Sequence, residues 1–257
     1  MRSDLPPVAA AVLDAAVDLF LGSRCVGCDR PGRLVCTVCA AELEVPARPA
    51  WPTPVPAGLV APWAAAEYAG LARALVLGHK ERAMHGLRGP LSDLLTTAVR
   101  GALDDSPSTQ RGLVLLVPVP SRAATVRARG HDPMWTVTRG AARRLRGEGY
   151  DVRAVRMLRI RRRVDDQAGL DAAARAANLD ASMWCPSRSL RRLARSLSGR
   201  RTAVTVVVCD DVITTGSTAC EAQRALRASG LGVLALAAVA ATRRRTAGGV
   251  SSSPPMA

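Results

Sequence analysis

The sequence predicts an α/β fold with a parallel sheet, preceded by a small module that carries four cysteines. Residues 113–117 read Leu-Val-Leu-Leu-Val, a continuous apolar run typical of a strand covered on both faces. Residues 204–241 read as strand, helix and strand, and this order makes the two strands parallel. Six prolines between residues 46 and 62 exclude a regular helix and separate these elements from the cysteines.

The 257 residues divide into four segments on this basis. Residues 1–45 contain an amphipathic helix and the cysteines, and residues 46–62 form a proline-rich linker or surface crossover. Residues 63–242 form the main α/β domain. Residues 243–257 are predicted to be a disordered tail.

The apolar run at residues 8–21 is too short to cross a membrane. It contains Asp14 and Asp18, and a membrane span needs about 20 apolar residues. Its apolar positions recur at helical spacing, which favours a helix that docks on the body of the protein. We therefore expect no membrane insertion and a cytoplasmic location.

Hydrophobic periodicity and turn residues assign the other elements of the main domain. Helices are predicted at residues 71–77, 87–103, 133–146, 171–179 and 217–229. Strands are predicted at residues 113–117, 152–158, 204–209 and 231–241, after a short segment at 63–68. Residues 187–201 are rich in arginine and serine, which favours a solvated helix over a mobile insertion.

The charge balance favours polyanionic partners without identifying one. Lysine and arginine number 36 against 21 acids, a formal charge of +15, and Lys80 is the only lysine. A GC-rich coding sequence also favours arginine, so the charge alone is weak evidence for nucleic acid. One Phe, two Tyr and four Trp give few rings for base stacking, so any contact with DNA is expected to be mostly electrostatic.

The most specific signal is the segment 204–218, in which an apolar strand leads into two acids and a turn rich in hydroxyl groups. In a parallel sheet, ligands bind beyond the carboxyl ends of the strands. Free N–H groups at the start of the next helix favour a phosphate, and a glycine lets the backbone approach it closely. The paired acids can accept hydrogen bonds from vicinal ribose hydroxyls. The candidate ligand-binding residues are Asp210, Asp211, Thr214, Thr215, Gly216, Ser217 and Thr218.

A purely structural interpretation of this segment is an Asx turn followed by a helix N-cap, since Asp, Ser and Thr are common at helix starts. We favour a sugar-phosphate site because the whole string is more specific than a single glycine motif. The sequence contains no GxxxxGK[ST] motif and no GxGxxG after a strand. Nucleoside triphosphatases and dinucleotide enzymes therefore lack support.

This string resembles the phosphoribosyl pyrophosphate signature of type I phosphoribosyltransferases, in which paired acids hold the ribose hydroxyls and the next loop holds the 5′-phosphate. Other segments resemble the ComF family of competence proteins, a phosphoribosyltransferase-like group with an N-terminal four-cysteine module. They are Tyr68 to Lys80, Val117 to Arg122, Arg129-Gly130-His131-Asp132 in place of the family's Arg-Gly-Phe-Asn, Gln167 to Leu170, and Arg175 to Asn178.

The resemblance implies a type I phosphoribosyltransferase-like domain that binds phosphoribosyl pyrophosphate with Mg2+. It implies that Lys80, Pro120 and Ser121 also contact the ligand, and that Arg127 and Arg129 are catalytic residues on the pyrophosphate. On residue chemistry alone, Lys80 could instead cap a helix, and the arginines could be solvated.

Two hypotheses on activity stay open. The first is a phosphoribosyltransferase with an unknown acceptor, connected with competence and DNA uptake. The second is a ligand sensor or single-stranded-DNA-binding adaptor without turnover. Single-stranded DNA, the DNA-uptake machinery and a second copy of the chain are the candidate partners. His79, His85 and His131 show no spacing typical of a shared metal, and no general base is assigned.

The four N-terminal cysteines predict a structural zinc site. Cys25 and Cys28 form one close pair, Cys36 and Cys39 form the other, and Gly27 permits a tight turn. Disulfides or redox thiols are the alternatives, but reduced thiols are the rule in the cytosol. Four protein ligands leave no position for a substrate, so the ion is expected to stabilise the module. The other cysteines, Cys185, Cys209 and Cys220, are expected to pack in the core.

Overall fold

The computed structural model describes residues 23–106, 112–121, 125–127, 130–161, 182–199 and 203–242. Its main feature is a six-stranded, mostly parallel sheet flanked by helices, which confirms the predicted α/β class. The predicted helices at 8–21 and 171–179 and the tail at 243–257 lie outside the described residues. The same holds for Arg122, Arg129, Gln167 to Leu170, and Arg175 to Asn178. Across the described ranges, no helix combines the length and apolar character needed to span a membrane.

The helices are α1 (Thr37–Ala41), α2 (Gly70–Glu81), α3 (Arg88–Asp104), α4 (Pro133–Gly147), α5 (Ser187–Leu197) and α6 (Ser217–Arg227), with a 3-10 turn at His85–Leu87. The strands are β1 (Arg48–Pro49), β2 (Ala61–Glu67), β3 (Leu113–Pro118), β4 (Val152–Ala154), β5 (Arg159–Ile160), β6 (Met183–Trp184), β7 (Val204–Ile213) and β8 (Val233–Ala241). The sheet order is β1-β2-β8-β7-β3-β4, and β1 is antiparallel to β2. β5 and β6 form a separate antiparallel pair.

The continuous apolar run of β3 reflects burial on both faces of the sheet. All six of its residues are buried. Val114 and Leu116 pack in the core on the side of α2, α3 and α4. Leu113, Leu115 and Val117 pack in the core on the side of α5 and α6. The strand lies between β7 and β4, as its composition predicts for an interior strand.

Helix α4 begins where local chemistry dictates. The Asp132 carboxylate accepts a hydrogen bond from the Trp135 backbone N–H at 3.1 Å, which satisfies one free donor of the first turn. Pro133 follows at the first helical position, where its missing N–H costs nothing. The predicted start of this helix is confirmed.

Two predicted strand lengths are wrong: β7 is longer and β4 is shorter than predicted. β7 does not end at Cys209 but continues to Ile213, because its partner β8 supplies backbone pairing as far as Ala241. β4 ends at Ala154 and not at residue 158, although its partner β3 continues to Pro118, because the chain leaves the sheet after Val155 and turns into β5. The length of β7 therefore depends on its neighbour β8, which the local sequence of β7 does not show.

The arginine-rich segment at 187–201 contains a helix, α5, with one apolar face. Leu193 is buried in the core, and Leu190 and Leu197 pack beside it at helical spacing. The prediction of a helix is confirmed, and the alternative of a mobile insertion is wrong for residues 187–197.

The proline-rich stretch at 46–62 is more than a linker. Arg48 and Pro49 form the edge strand of the sheet, opposite Ala64 and Trp63. Further along, the Gln223 side chain of α6 accepts a hydrogen bond from the Val60 N–H at 2.9 Å and donates to the Gly58 carbonyl at 2.7 Å. These contacts fix the stretch on the main domain.

The connections of the sheet define a crevice between β3 and β7. From β3 the chain passes through α4 to β4 on one side, and from β7 it passes through α6 to β8 on the other. Neighbouring parallel strands whose connections diverge leave an opening at their carboxyl ends, where α/β proteins place their ligands. The residues after Pro118 and Cys209 lie at this opening.

Candidate functional site

The acid pair, Asp210 and Asp211, lies at the crevice on β7, which continues beyond the end of its neighbour β3. The last paired residues of β3 and β7 are Pro118 and Cys209, while β7 continues beside β8. The acids therefore occupy the first positions of β7 beyond the end of β3. Both are half-buried, so they remain accessible to a ligand.

Lys80 is brought to this acid pair from α2. Its ammonium Nζ lies 2.5 Å from Asp211 Oδ2, with side-chain exposures of 40% and 19%. Helix α2 packs on the face of the sheet that also carries Cys209 and Val212, on either side of the acid pair. The ion pair places Lys80 at the site and accounts for its position better than helix capping does.

Asp210 holds its proton more tightly than an ordinary carboxyl. Desolvation by burial is the main cause and the negative charge of Asp211 is the next, and together they raise the pKa of Asp210 from 3.8 to about 8. The Asp211 backbone N–H, which donates to Asp210 Oδ1 at 2.8 Å, and the charge of Lys80 oppose this shift. Asp210 therefore mainly keeps its proton at neutral pH.

Replacing Asp210 with asparagine is expected to remove one part of the pH dependence of stability. Because folding raises its pKa, the folded state keeps a proton that the unfolded chain releases above about pH 4. The free energy of unfolding of wild type therefore falls as the pH rises from about 4 to about 8. The variant lacks this fall. In thermal melts at about pH 5, 7 and 9, the Tm of the variant minus the Tm of wild type should increase as the pH rises. A difference independent of pH would contradict the raised pKa.

The segment Thr214 to Thr218, here called the hydroxyl turn, joins β7 to α6. Gly216 is the N-cap of α6 and has a left-handed φ of 77°. The N-cap position therefore has no capping side chain, and Thr215 Oγ1 accepts a hydrogen bond from the Ser217 N–H at 3.5 Å. The hydroxyls of Thr215 and Ser217 lie 3.0 Å apart. The first N–H groups of the helix and these hydroxyls form one donor-rich surface.

Gly216 is also required by its packing. A Cβ at this position would lie 3.1 Å from Pro52 Cγ and 3.3 Å from Leu59 Cδ2 and Pro56 Cγ. The proline-rich stretch therefore packs directly against the hydroxyl turn. Both the positive φ and these contacts favour glycine at residue 216.

Of the other predicted site residues, Pro120 and Ser121 lie close to the acid pair by backbone pairing. The N–H of Val119, just before them, donates to the Cys209 carbonyl at 2.8 Å. Arg127 is exposed, and the Gly130 N–H donates to its carbonyl at 3.3 Å. Within the described contacts, nothing joins the Arg127 side chain to the acids. Arg129 lies outside the described residues.

The fold gathers the three histidines, which their spacing in the sequence does not predict. The ring centroids of His79 and His131 are 5.7 Å apart, and those of His85 and His131 are 4.4 Å apart. His79 is buried, and burial, followed by the charges of His131, His85 and Arg88, lowers its pKa to about 4. The cluster adjoins the site, because His79 precedes Lys80 in α2.

The four N-terminal cysteines form a second candidate site. Their sulfur atoms all lie within 4.8 Å of one another, and the Sγ atoms of Cys28 and Cys36 are 3.6 Å apart. A tetrahedral ion with metal–sulfur distances of about 2.3 Å separates its sulfurs by about 3.8 Å. In the part of the chain that the structure describes, this is the one grouping of three or more His, Cys, Asp or Glu ligand atoms close enough for a metal.

Electrostatics also favour a cation among these thiols. Burial alone would raise the pKa of the Cys25 thiol, but backbone N–H donors from Cys36, Cys28 and Gly27 outweigh it and lower the pKa to about 6. The neighbouring Cys36 sulfur raises the pKa of Cys39. Thiolates that repel each other at this distance are stabilised by a shared positive ion.

All seven cysteines are free thiols in the structure. Cys185 and Cys209 are buried, as core packing predicts, whereas Cys220 is half-buried. Cys209 directly precedes the acid pair, and its burial raises the pKa of its thiol. The three therefore stay apart from the four-cysteine cluster.

Comparisons with models of protein families and with curated proteins find no match to this chain. The functional inference therefore rests on the site itself. The crevice combines hydrogen-bond acceptors at the acid pair, a cation at Lys80 and donors at the hydroxyl turn. This set of groups suits a ligand that has both hydroxyls and phosphates.

Proposed function

We propose that this protein binds phosphoribosyl pyrophosphate with Mg2+ and has a type I phosphoribosyltransferase-like domain, as the resemblance to the ComF family implies. The observation that carries the proposal is the position of the acid pair and the hydroxyl turn. They follow one another at the carboxyl end of β7, where the connections of the sheet diverge.

The two parts of the site divide the ligand between them. Asp210 and Asp211 accept hydrogen bonds from the 2′ and 3′ hydroxyls of the ribose. The N–H groups and hydroxyls of residues 214–218 donate to the 5′-phosphate, which the positive end of the α6 dipole also favours. Three or four such bonds, at roughly 1.5–3 kcal/mol each, compare with about 8 kcal/mol for micromolar binding.

The pyrophosphate group requires positive charge, which Lys80 and the Arg127 to Arg129 segment supply in this proposal. Lys80 already lies at the acid pair, through Asp211. Arg127 is exposed near Gly130, whose positive φ of 70° gives a tight turn. Mg2+ bound to the ligand neutralises further pyrophosphate charge.

The reaction in this proposal is transfer of the phosphoribosyl group. The bond between C1 of the ribose and the pyrophosphate oxygen breaks, pyrophosphate leaves with the bonding electrons, and an acceptor nucleophile bonds to C1. The protein holds the sugar and stabilises the charge that develops on the leaving group. The same resemblance connects this activity with DNA uptake.

We also propose zinc as the ion in the four-cysteine cluster and a cytoplasmic location. Zinc is the usual ion of sites with four cysteine ligands.

Isothermal titration calorimetry with phosphoribosyl pyrophosphate in the presence of Mg2+ tests the binding proposal. We expect a one-site isotherm that weakens when Mg2+ is omitted. The binding proposal would be overturned if the titration released no heat and ribose 5-phosphate did not compete for the site. Pyrophosphate release with a panel of bases and amines then tests turnover, and binding without release would indicate a ligand-sensing protein.

A further inference from the structure

A large groove lies on the main domain beside the edge strand β4. It encloses about 950 Å³ and is lined by α4, by the chain from β4 to β5, and by α5. Eight arginines line it, here called the arginine groove, and no acidic residue is among the described residues of its lining. A concentration of one charge in a concave surface attracts polyanions strongly.

The arginines come from one face of each bordering helix. On α4, Arg139, Arg143 and Arg146 recur at helical spacing after Trp135, and all three arginines are exposed. Val137, Ala141 and Leu145 occupy the opposite face and are buried in the core. The basic face of α4 is therefore fixed in position by the packing of its other face.

Helix α5 forms the facing wall in the same way. Arg188 and Arg192 line the groove four residues apart, while Leu193 is buried in the core. Between the two helices, Arg153, Arg156 and Arg159 line the floor. In the described part of the chain, Asp132 is the one carboxylate that pairs with a groove arginine, at 3.4 Å from Arg156. The described residues thus neutralise little of the positive charge of the groove.

Two tryptophans accompany the arginines. The Arg156 guanidinium lies 4.4 Å from the Trp135 ring centroid, and that of Arg139 lies 5.8 Å from it. Trp184 is 41% exposed and is the strand partner of Arg159, which lines the groove. Directly opposed residues of an antiparallel pair point to the same side, so Trp184 shares the face of Arg159.

We propose that the arginine groove binds single-stranded nucleic acid. Guanidinium groups recognise phosphates with two parallel hydrogen bonds, and exposed indole rings stack on bases. Stacking needs unpaired bases, which a single strand offers and a duplex does not. The groove face of α4 from Trp135 to Arg146 is about 16 Å long and spans roughly four phosphates of a strand. An acidic peptide would satisfy the arginines but would leave Trp184, the exposed one of the two tryptophans, unused.

The proposal goes beyond the phosphoribosyl pyrophosphate site and does not depend on it. Fluorescence anisotropy with labelled 20-residue oligothymidylate and oligouridylate, without phosphoribosyl pyrophosphate or Mg2+, is the test. We expect both probes to bind, with a slope of log affinity against log salt of roughly −3, from four phosphates at about −0.7 each. Binding by neither probe at low salt would overturn the proposal.

Matched variants of α5 locate the contact. Arg188→Gln with Arg192→Gln should reduce the magnitude of the salt slope by roughly 1.4, because two phosphate contacts are lost. Arg191→Gln with Arg195→Gln removes the same charge from the same helix at exposed positions outside the groove, and should leave the slope unchanged. Equal slopes in the two double variants would overturn the assignment to this groove.

Trp184→Ala separates base contacts from charge. We expect affinity for oligothymidylate to fall about tenfold and affinity for an abasic 20-residue strand of the same backbone to stay unchanged. If wild type binds the abasic strand, a duplex of the same length or polyglutamate as tightly as oligothymidylate, the single-strand proposal is wrong.

Discussion

Alanine at both Asp210 and Asp211 is expected to weaken binding of phosphoribosyl pyrophosphate with Mg2+ at least about 100-fold. The double variant removes two or more hydrogen bonds from the ribose to carboxyl groups, at roughly 0.5–1.5 kcal/mol for a neutral partner and roughly 1.5–3 kcal/mol for a charged one. The direction of the change in affinity is informative. If charge alone mattered, deleting acids beside an anionic ligand should strengthen its binding. Calorimetric titration of both proteins under the same conditions measures the change.

The chain offers a matched control for this double variant. Asp104 and Asp105 are also adjacent acids, but they lie at the end of α3 on the exposed surface. Alanine at both removes the same number of carboxyl groups and should leave the affinity unchanged. If the two double variants bind the ligand equally, Asp210 and Asp211 do not hold the ribose.

Serine at Cys36 is expected to remove the metal and unfold the N-terminal module. Structural zinc contributes about 10–16 kcal/mol of binding free energy, as much as the whole stability of a typical domain, about 5–15 kcal/mol. Cys36 also caps α1, where its Sγ accepts from the Cys39 N–H at 3.5 Å. Serine is a good N-cap, so the cap survives and the loss reports on the metal.

Metal content by mass spectrometry and limited proteolysis measure this effect. Wild type should carry one zinc ion per chain and resist cleavage within residues 23–45, and the variant should do neither. Cys220→Ser, which changes a half-buried thiol outside the cluster, is the control and should keep its zinc. A metal-free wild-type protein that resists cleavage equally would show that the thiols pack without an ion.

Much of the fold was predictable because its signals are local. The apolar run of β3, the Asp132 and Pro133 start of α4 and the strand-helix-strand unit at 204–241 each depend on neighbouring residues. The four-cysteine cluster was predictable as well, since two close pairs limit the geometry of their loop. The position of the acid pair at a carboxyl strand end follows from the parallel sheet.

The features that sequence reasoning missed depend on distant contacts. The contact of Lys80 with Asp211 spans 131 residues, and no local pattern separates it from helix capping. The histidine cluster joins residues from two separate segments, at 79–85 and 131. The arginine groove combines three segments whose charges read individually as solvated surfaces. Helical spacing is the signal that could have found the groove, since Trp135, Arg139, Arg143 and Arg146 fall on one face of α4, and Arg188 and Arg192 on one face of α5.

The pairing of β2 with β8 determines when this protein can finish folding. Ala61 pairs with Ala235, about 170 residues later in the chain. At roughly 5–20 residues per second of synthesis, β2 waits about 10–35 seconds for its partner. The segment of β7 from Asp210 to Ile213 waits for the same strand, because β8 is the neighbour that pairs with it there. The acid pair therefore takes its final position only once β8 has been made.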